Sequence, residues 1–330
     1  MATGKHGWLS ELWQHIPAAL SEFPVLTAGE QTKLSWAKPI ETPEEAPPIY
    51  AESLAALTAQ AGRFPTCILT PSYAGFLTRT TEKLVCFAGD EITIFEQAGN
   101  TLHSTCYTLP QIDFVEVGCI LLNSWIKIAG ADARNQLVTT TIKFNSVTDF
   151  LFTPLLTCWR KTEQGLGTAT LKDEQAKFDH LNTEQYKFMN IARRIILPGD
   201  RVLAFLMQPE RRAAATRLFG DLFTRTRTPS HLVVLTDREV IIASEEKQSG
   251  WRAQTAYGSI ITYIPLRKLA GAAVEATGDG YLRLSFALSG GEPLPVDFDT
   301  EQQAGVERLM ELLSAHLSAH LSPHPAALPA

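Results

Sequence analysis

At 330 residues, with 45% hydrophobic and 19% charged side chains, the chain has apolar surface for two ordinary cores and too little charge for a disordered polymer. A formal charge of -6 excludes nucleic acid as the main partner, because neutralising phosphates needs a net basic face. No apolar run is long enough to span a bilayer and no signal-peptide pattern opens the chain, so the expectation is a cytoplasmic protein, or one peripheral to the inner membrane surface, and not a transmembrane one.

In chain order, residues 1–48 come first as an amphipathic helix and a linker. Trp8, Leu9, Leu12, Trp13, Ile16 and Leu20 recur at helical spacing and put two indoles on one face. That face needs a surface to dock on, either in the same chain or in a partner, which makes Trp8, Leu12, Trp13 and Ile16 candidate partner-binding residues. Lys38 to Pro48 is proline-rich and acidic and reads as a linker.

A module then occurs twice. KLVCFAGDEITIFEQ (Lys83 to Gln97) lies over HLVVLTDREVIIASE (His231 to Glu245), each a strand, a polar turn and a strand, and Thr78-Arg79-Thr80 upstream matches Thr226-Arg227-Thr228. After a loop insertion the match resumes, with Leu109, Ile112 and Val117 answering Leu266, Leu269 and Val274. Each copy begins with a helical lead-in, Ala51 to Gln60 or Thr183 to Ile196. Each ends in an amphipathic helix, the first capped by Ser146 and the second by Asp299 or Thr300. The boundaries are 49–162 for the first copy, 163–182 for a linker, 183–317 for the second copy and 318–330 for a tail. Seven strands are expected in copy two: Arg201 to Gln208, His231 to Thr236, Glu239 to Ser244, Ser259 to Ile264, Ala270 to Ala276, Tyr281 to Leu288 and Pro293 to Phe298. The fold class is mainly β with capping helices.

Copy two resembles the bacterial pleckstrin-homology-like (PH-like) domains, relatives of the GRAM-type module. The resemblance rests on Leu197-Pro198-Gly199-Asp200-Arg201-Val202-Leu203, on Leu235-Thr236-Asp237-Arg238, and on Ile264-Pro265-Leu266 with Leu269 and Val274. It covers 183–317, and 50–160 more weakly, since Phe87-Ala88-Gly89-Asp90 stands where the second turn should recur. The resemblance implies two PH-like barrels, each of about seven antiparallel strands plus a C-terminal helix, used to bind proteins or membrane lipids.

Chemistry is scarce in this sequence. Between Lys187 and Arg227 nine basic residues face three acidic ones. Part of this run falls in a segment inserted at Glu210 to Thr224, whose apolar spacing reads as helical. Arg211, Arg212, Arg217, Arg225 and Arg227 are therefore candidate contacts for an anionic lipid head group or an acidic segment, and otherwise form a solvated face. His316, His320 and His324 lack a third ligand nearby, and the five cysteines, Cys67, Cys86, Cys106, Cys119 and Cys158, lack a CxxC spacing and read as reduced structural thiols. His103 and Cys106, three apart on one strand, point to opposite faces. No nucleophile, phosphate-loop or zinc-protease motif is present, so no catalytic residue, metal or cofactor is expected and an enzyme is only the residual alternative. The expectation is a scaffold that recognises protein or itself, with peripheral binding to anionic membrane lipid as the alternative.

Overall fold

The computed structural model describes residues 33–74, 79–99, 101–161, 168–183, 185–214, 224–245, 258–278 and 280–321. Among these the chain is mainly β. The first half runs β1 (Lys38–Ile40), α1 (Ala51–Ala61), β2 (Thr66–Thr70), a small hairpin β3 (Tyr73–Ala74) and β4 (Arg79–Thr80), then β5 (Lys83–Ala88), β6 (Glu91–Ala98) and β7 (Thr101–Thr108). A single 3-10 turn leads to β8 (Ile112–Ile120), β9 (Asn123–Ala131), β10 (Leu137–Asn145) and α2 (Thr153–Lys161). Two helices, α3 (Leu171–Ala176) and α4 (Tyr186–Ile195), lead to the second half. There β11 (Val202–Gln208), a hairpin β12 (Arg211–Ala214) and β13 (Thr224–Thr228), β14 (His231–Thr236), β15 (Glu239–Ser244) and β16 (Gly258–Pro265) are followed by a 3-10 turn. The chain ends in β17 (Leu269–Thr277), β18 (Tyr281–Leu288), β19 (Leu294–Asp299) and α5 (Gln303–Leu321).

All seven strands expected in the second copy form, three of them with the expected ends, because each apolar run is bounded by a turn signal. Gly280, at φ 80, supplies the left-handed residue of the β17–β18 turn. The β14–β15 turn instead uses a side chain: Thr236 Oγ1 accepts from the Arg238 and Glu239 amides and donates to the Glu239 carbonyl.

Four expectations need correction. The sheets are open and do not close into barrels: the orders are β1-β2-β5-β6-β7, β10-β9-β8-β16-β15-β14-β11 and β17-β18-β19. The Lys38 to Pro48 stretch packs, because Lys38–Ile40 pairs antiparallel with Cys67 to Leu69 and its Ile40 and Ala46 are buried. The inserted Arg-rich segment forms strands at both its described ends, where Arg212 pairs with Thr226 and Ala213 with Arg225, and alternating threonines suit a hairpin better than a helix. The cap after β10 is Asn145, whose side chain accepts from the Val147 amide at 3.0 Å, and not Ser146, whose hydroxyl donates to the Leu121 carbonyl.

The seven-stranded sheet joins the halves. Three of its strands come from the first half and four from the second, with β16 antiparallel to β8 from Gly258 opposite Ile120 to Tyr263 opposite Val115. Both faces of the second half's strands are covered, which is why β14 reads as an unbroken apolar run. Val233, Leu235, Val240 and Ile242 meet β18, β19 and the Val306, Leu309 and Leu313 face of α5. Leu232, Val234, Ile241 and Tyr263 turn the other way, onto Phe188, Ile191 and Ile195 of α4 and Leu155 and Trp159 of α2. Each such side chain contributes roughly 1.5–3 kcal/mol, so this second layer is a core shared between the halves.

Candidate functional site

In each half the first strand after the 3-10 turn, β8 or β17, is an end strand of that half's last three. In the first half its outer edge is filled. β16 occupies the edge of β8, and Arg160, in the last turn of α2, lies over the Tyr263 ring of β16 at 4.2 Å. The Arg160 guanidinium also hydrogen-bonds the Glu239 carboxylate and the Ile195 carbonyl, and approaches Asp200 at 4.0 Å. Asp200 ion-pairs with Arg238 and accepts from the Leu197 amide at 2.8 Å. Two arginines and two carboxylates thus form a neutral buried cluster across the joint. Burial is the largest single influence on Arg160 and works against its charge, but Glu239, Tyr263 and Asp200 together outweigh it, so the guanidinium holds its proton more tightly than usual. Burial pushes the carboxyls of Glu239 and Asp200 up, against the pull of the two arginines and, at Asp200, the Leu197 amide.

In the second half the equivalent edge holds no described strand. A groove of ≈ 680 Å³ runs between β17 and α5, lined by Ala272, Ala273 and Val274 on one wall and Val306, Met310 and Ser314 on the other. Three consecutive residues of a strand alternate faces, so a cavity that touches all three runs along the strand's edge. Among the described residues β17 is the outermost strand of its sheet, hydrogen-bonded only to β18. The floor is apolar, and Val274 keeps 39% of its surface exposed. Glu307 and Glu311 stand at the rim. The helical wall follows from sequence: Gln303, Val306, Glu307, Met310, Glu311 and Ser314 recur at the three- and four-residue steps that align one helix face.

The residues singled out in the sequence lie elsewhere. Trp8, Leu12, Trp13, Ile16 and Arg217 fall outside the described residues. Arg211 meets Asp299 at 3.1 Å and Glu301 at 2.9 Å. Arg212 lies on β12, with Arg225 and Arg227 on the paired strand β13. Elsewhere in the basic run Lys187 pairs with Glu245 at 2.7 Å and Arg193 with Asp179. Asp299, read as a cap of the closing helix, accepts from the Glu301 amide. His316 hydrogen-bonds the Asp237 carbonyl through Nε2, and no group of three His, Cys, Asp or Glu side chains among the described residues could hold a metal. Cys67 and Cys86 are buried opposite each other on β2 and β5, Cys106 and Cys119 are half-buried, and Cys158 is exposed.

A second surface feature escaped the sequence reading. Leu121 and Leu122, which form the β8–β9 turn, are 65% and 54% exposed, and Val147 and Phe150 lie beside them, tied in by the Ser146 amide on the Leu122 carbonyl. Leu121 takes φ 54, a conformation that costs a leucine roughly 1–2 kcal/mol.

No family model matches the chain, and no curated protein matches its sequence. The groove itself was not read from the sequence, because its two walls are far apart in the chain. Its one local signal is the run of small residues Ala270-Gly271-Ala272-Ala273 at the start of a strand otherwise flanked by large ones.

Proposed function

We propose that the chain is a non-catalytic binding or scaffold protein, built by internal duplication from two PH-like modules, that recognises protein by strand addition in the groove between β17 and α5. The observation that carries this reading is the first half, where the matching position between β8 and α2 already holds an added strand, β16, bound antiparallel through its backbone. Order supports the duplication: each half runs a strand, a two-stranded hairpin, three strands, a 3-10 turn, three strands and a helix. In both halves a bulge follows the first residue of the strand after that turn, between Ile112 and Phe114 and between Leu269 and Gly271. The groove's apolar floor and acidic rim favour an extended segment with small or apolar residues facing inward and a basic residue at the rim. Lipid recognition through the arginines is the weaker reading, because Arg211 already meets two carboxylates of its own chain.

Panning a random peptide library on the immobilised full chain tests the reading, with counter-selection on a Val274→Glu/Met310→Glu variant whose fold is verified by circular dichroism. Peptides of β-forming composition that bind the wild type and not the variant are expected. Enrichment of peptides indifferent to the variant, or no enrichment, overturns it.

A further inference from the structure

Open sheet edges are templates for further pairing, and proteins blunt them with lysine, proline, bulges or a covering helix. The edges of the described sheets can be compared on that basis. β1 carries Lys38 and Pro39, β10 carries Lys143 and β19 carries Pro295. β11 lies under α5, with Phe205 packed on Phe178 and His180. β7 and β17 carry no lysine or proline, and the bulge of β17 falls at its start, between Leu269 and Gly271, outside the stretch from Ala273 to Thr277: TLHSTCYT makes up the one and LAGAAVEAT the other.

The two unprotected edges correspond to the two strands already joined within the chain. β7 stands to β6 as β16 stands to β15, since Glu91 faces Thr108 as Glu239 faces Pro265. β17 stands to β18 as β8 stands to β9, by the shared bulge. The internal joint therefore leaves one half of itself unsatisfied at each end of the molecule. We propose that the occupant of the β17 groove is β7 of a second copy of this chain, bound as β16 is bound to β8, so that copies add head to tail. This rests on the strand-addition reading of the groove and names its partner.

The register transfers residue by residue. Gly258 opposite Ile120 becomes Thr101 opposite Thr277, and the next pairs are Leu102 with Ala276, His103 with Glu275, Ser104 with Val274 and Thr105 with Ala273. His103 and Glu275 are both exposed and carry complementary charge when the imidazole is protonated. Thr101, His103 and Ser104 are exposed as well, while Ala133 closes the edge at its far end by donating to the Cys106 carbonyl at 2.9 Å. The contact is thus short and polar, its affinity coming from main-chain hydrogen bonds along about five residues, which makes it reversible and concentration-dependent. Because the two surfaces differ, the interface is heterologous and extends into an open chain of copies unless the rotation closes a ring.

The test uses full-length protein in sedimentation velocity and multi-angle light scattering over a wide concentration range. Wild type is expected to grow past the dimer as concentration rises. A β7-blocked variant, His103→Glu/Ser104→Glu, and a groove-blocked variant, Val274→Glu/Met310→Glu, are each expected to stay monomeric. An equimolar mixture of the two retains one intact β7 and one intact groove, on different chains, and is expected to give dimers and nothing larger. Dimers of the β7-blocked variant alone mean groove-to-groove pairing and overturn the proposal, as does a wild type that is monomeric at every concentration. In that last case peptide binding to the groove still separates the two readings: peptides that bind leave strand addition standing and remove only the second copy as occupant.

Discussion

The two halves carry the same order of elements and differ in what their matching edges hold. In the first half the β8 edge is covered by β16, the closing helix α2 is 9 residues long, and its Arg160 is buried against the inserted strand. In the second half no described strand pairs with the outer edge of β17, the closing helix α5 is 19 residues long, and its groove face is not covered by any described residue. The hairpin turns differ as well, since the second half places Gly280 at positive φ and the first places Leu121 there. The β8 edge holds a strand and, among the described residues, the β17 edge does not, and this difference turns several substitutions into paired experiments.

The largest effect is expected at Arg160. Removing the guanidinium leaves Glu239 fully buried without its ion-pair partner, with only the weaker pull of Arg238, and Asp200 with Arg238 alone, and breaking a buried pair costs about 3–5 kcal/mol. Arg160→Ala should therefore lower the urea midpoint of the full chain, by the equivalent of about 3–5 kcal/mol. Arg160→Met combined with Glu239→Leu, which removes both charges and keeps volume, should recover to within about 1 kcal/mol of wild type, because such a pair scarcely outweighs its own desolvation. If the single variant costs under about 1 kcal/mol, the joint is not anchored there and the two edges differ less than their contacts suggest.

A smaller contrast comes from glycine-to-alanine changes on the filled and open sides. A Cβ on Gly258 would lie 2.7 Å from the Cys119 carbonyl oxygen and 2.6 Å from Ile120 Cγ1, so Gly258→Ala must push β16 off β8 at an expected cost of about 1–3 kcal/mol. A Cβ on Gly271 of β17 meets nothing within 4 Å, so Gly271→Ala should change stability by less than about 0.5 kcal/mol. Equal effects in chemical denaturation would mean that the β17 edge is as crowded as the β8 edge.

What the sequence made legible follows from how local each signal is. His231 to Thr236, Glu239 to Ser244 and Tyr281 to Leu288 were placed correctly because apolar runs and turn residues lie within a few positions of each other. The pairing of β16 with β8 was not legible: it joins residues more than a hundred positions apart, and no periodicity records which edge a strand will choose. The same limit hid the Arg160 cluster, whose members sit in α2, before β11 and at the start of β15. Arg211 was noticed for its charge, but charge on a sequence does not show that Asp299 and Glu301 will meet it.

The turns provide a third contrast, of opposite sign. Leu121→Gly gives the β8–β9 turn the residue that the β17–β18 turn already has, and relief of the left-handed strain should raise stability by about 1 kcal/mol. Thermal or urea unfolding of the single variant checks it. A gain would mean that folding does not favour the leucine at this position. A loss would mean that the turn is held by packing around Leu121 itself.

The smallest expected effect is a pH response confined to the second half. Lys83 and His231 occupy the same position at the start of β5 and β14, but Lys83 pairs with Glu96 at 2.6 Å whereas His231 lies buried against Phe298, donating through Nδ1 to the Pro229 carbonyl. Burial holds the His231 imidazole below its ordinary value of 6.5, so on acidification the unfolded chain takes up the proton before the folded one does. Its contribution is present above pH 6.5 and is lost progressively as pH falls below it, towards the lower pKa of the folded state. Although burial pushes Glu96 up, hydrogen bonds from Lys83 and Thr81 bring it below its ordinary value of 4.5, so its contribution persists through that range and fades only at more acid pH. Urea unfolding at pH 7 and pH 6 should therefore show a difference in wild type that His231→Phe reduces and that Lys83→Met leaves in place. A pH 7 to pH 6 change that survives His231→Phe in full would assign the response to other histidines.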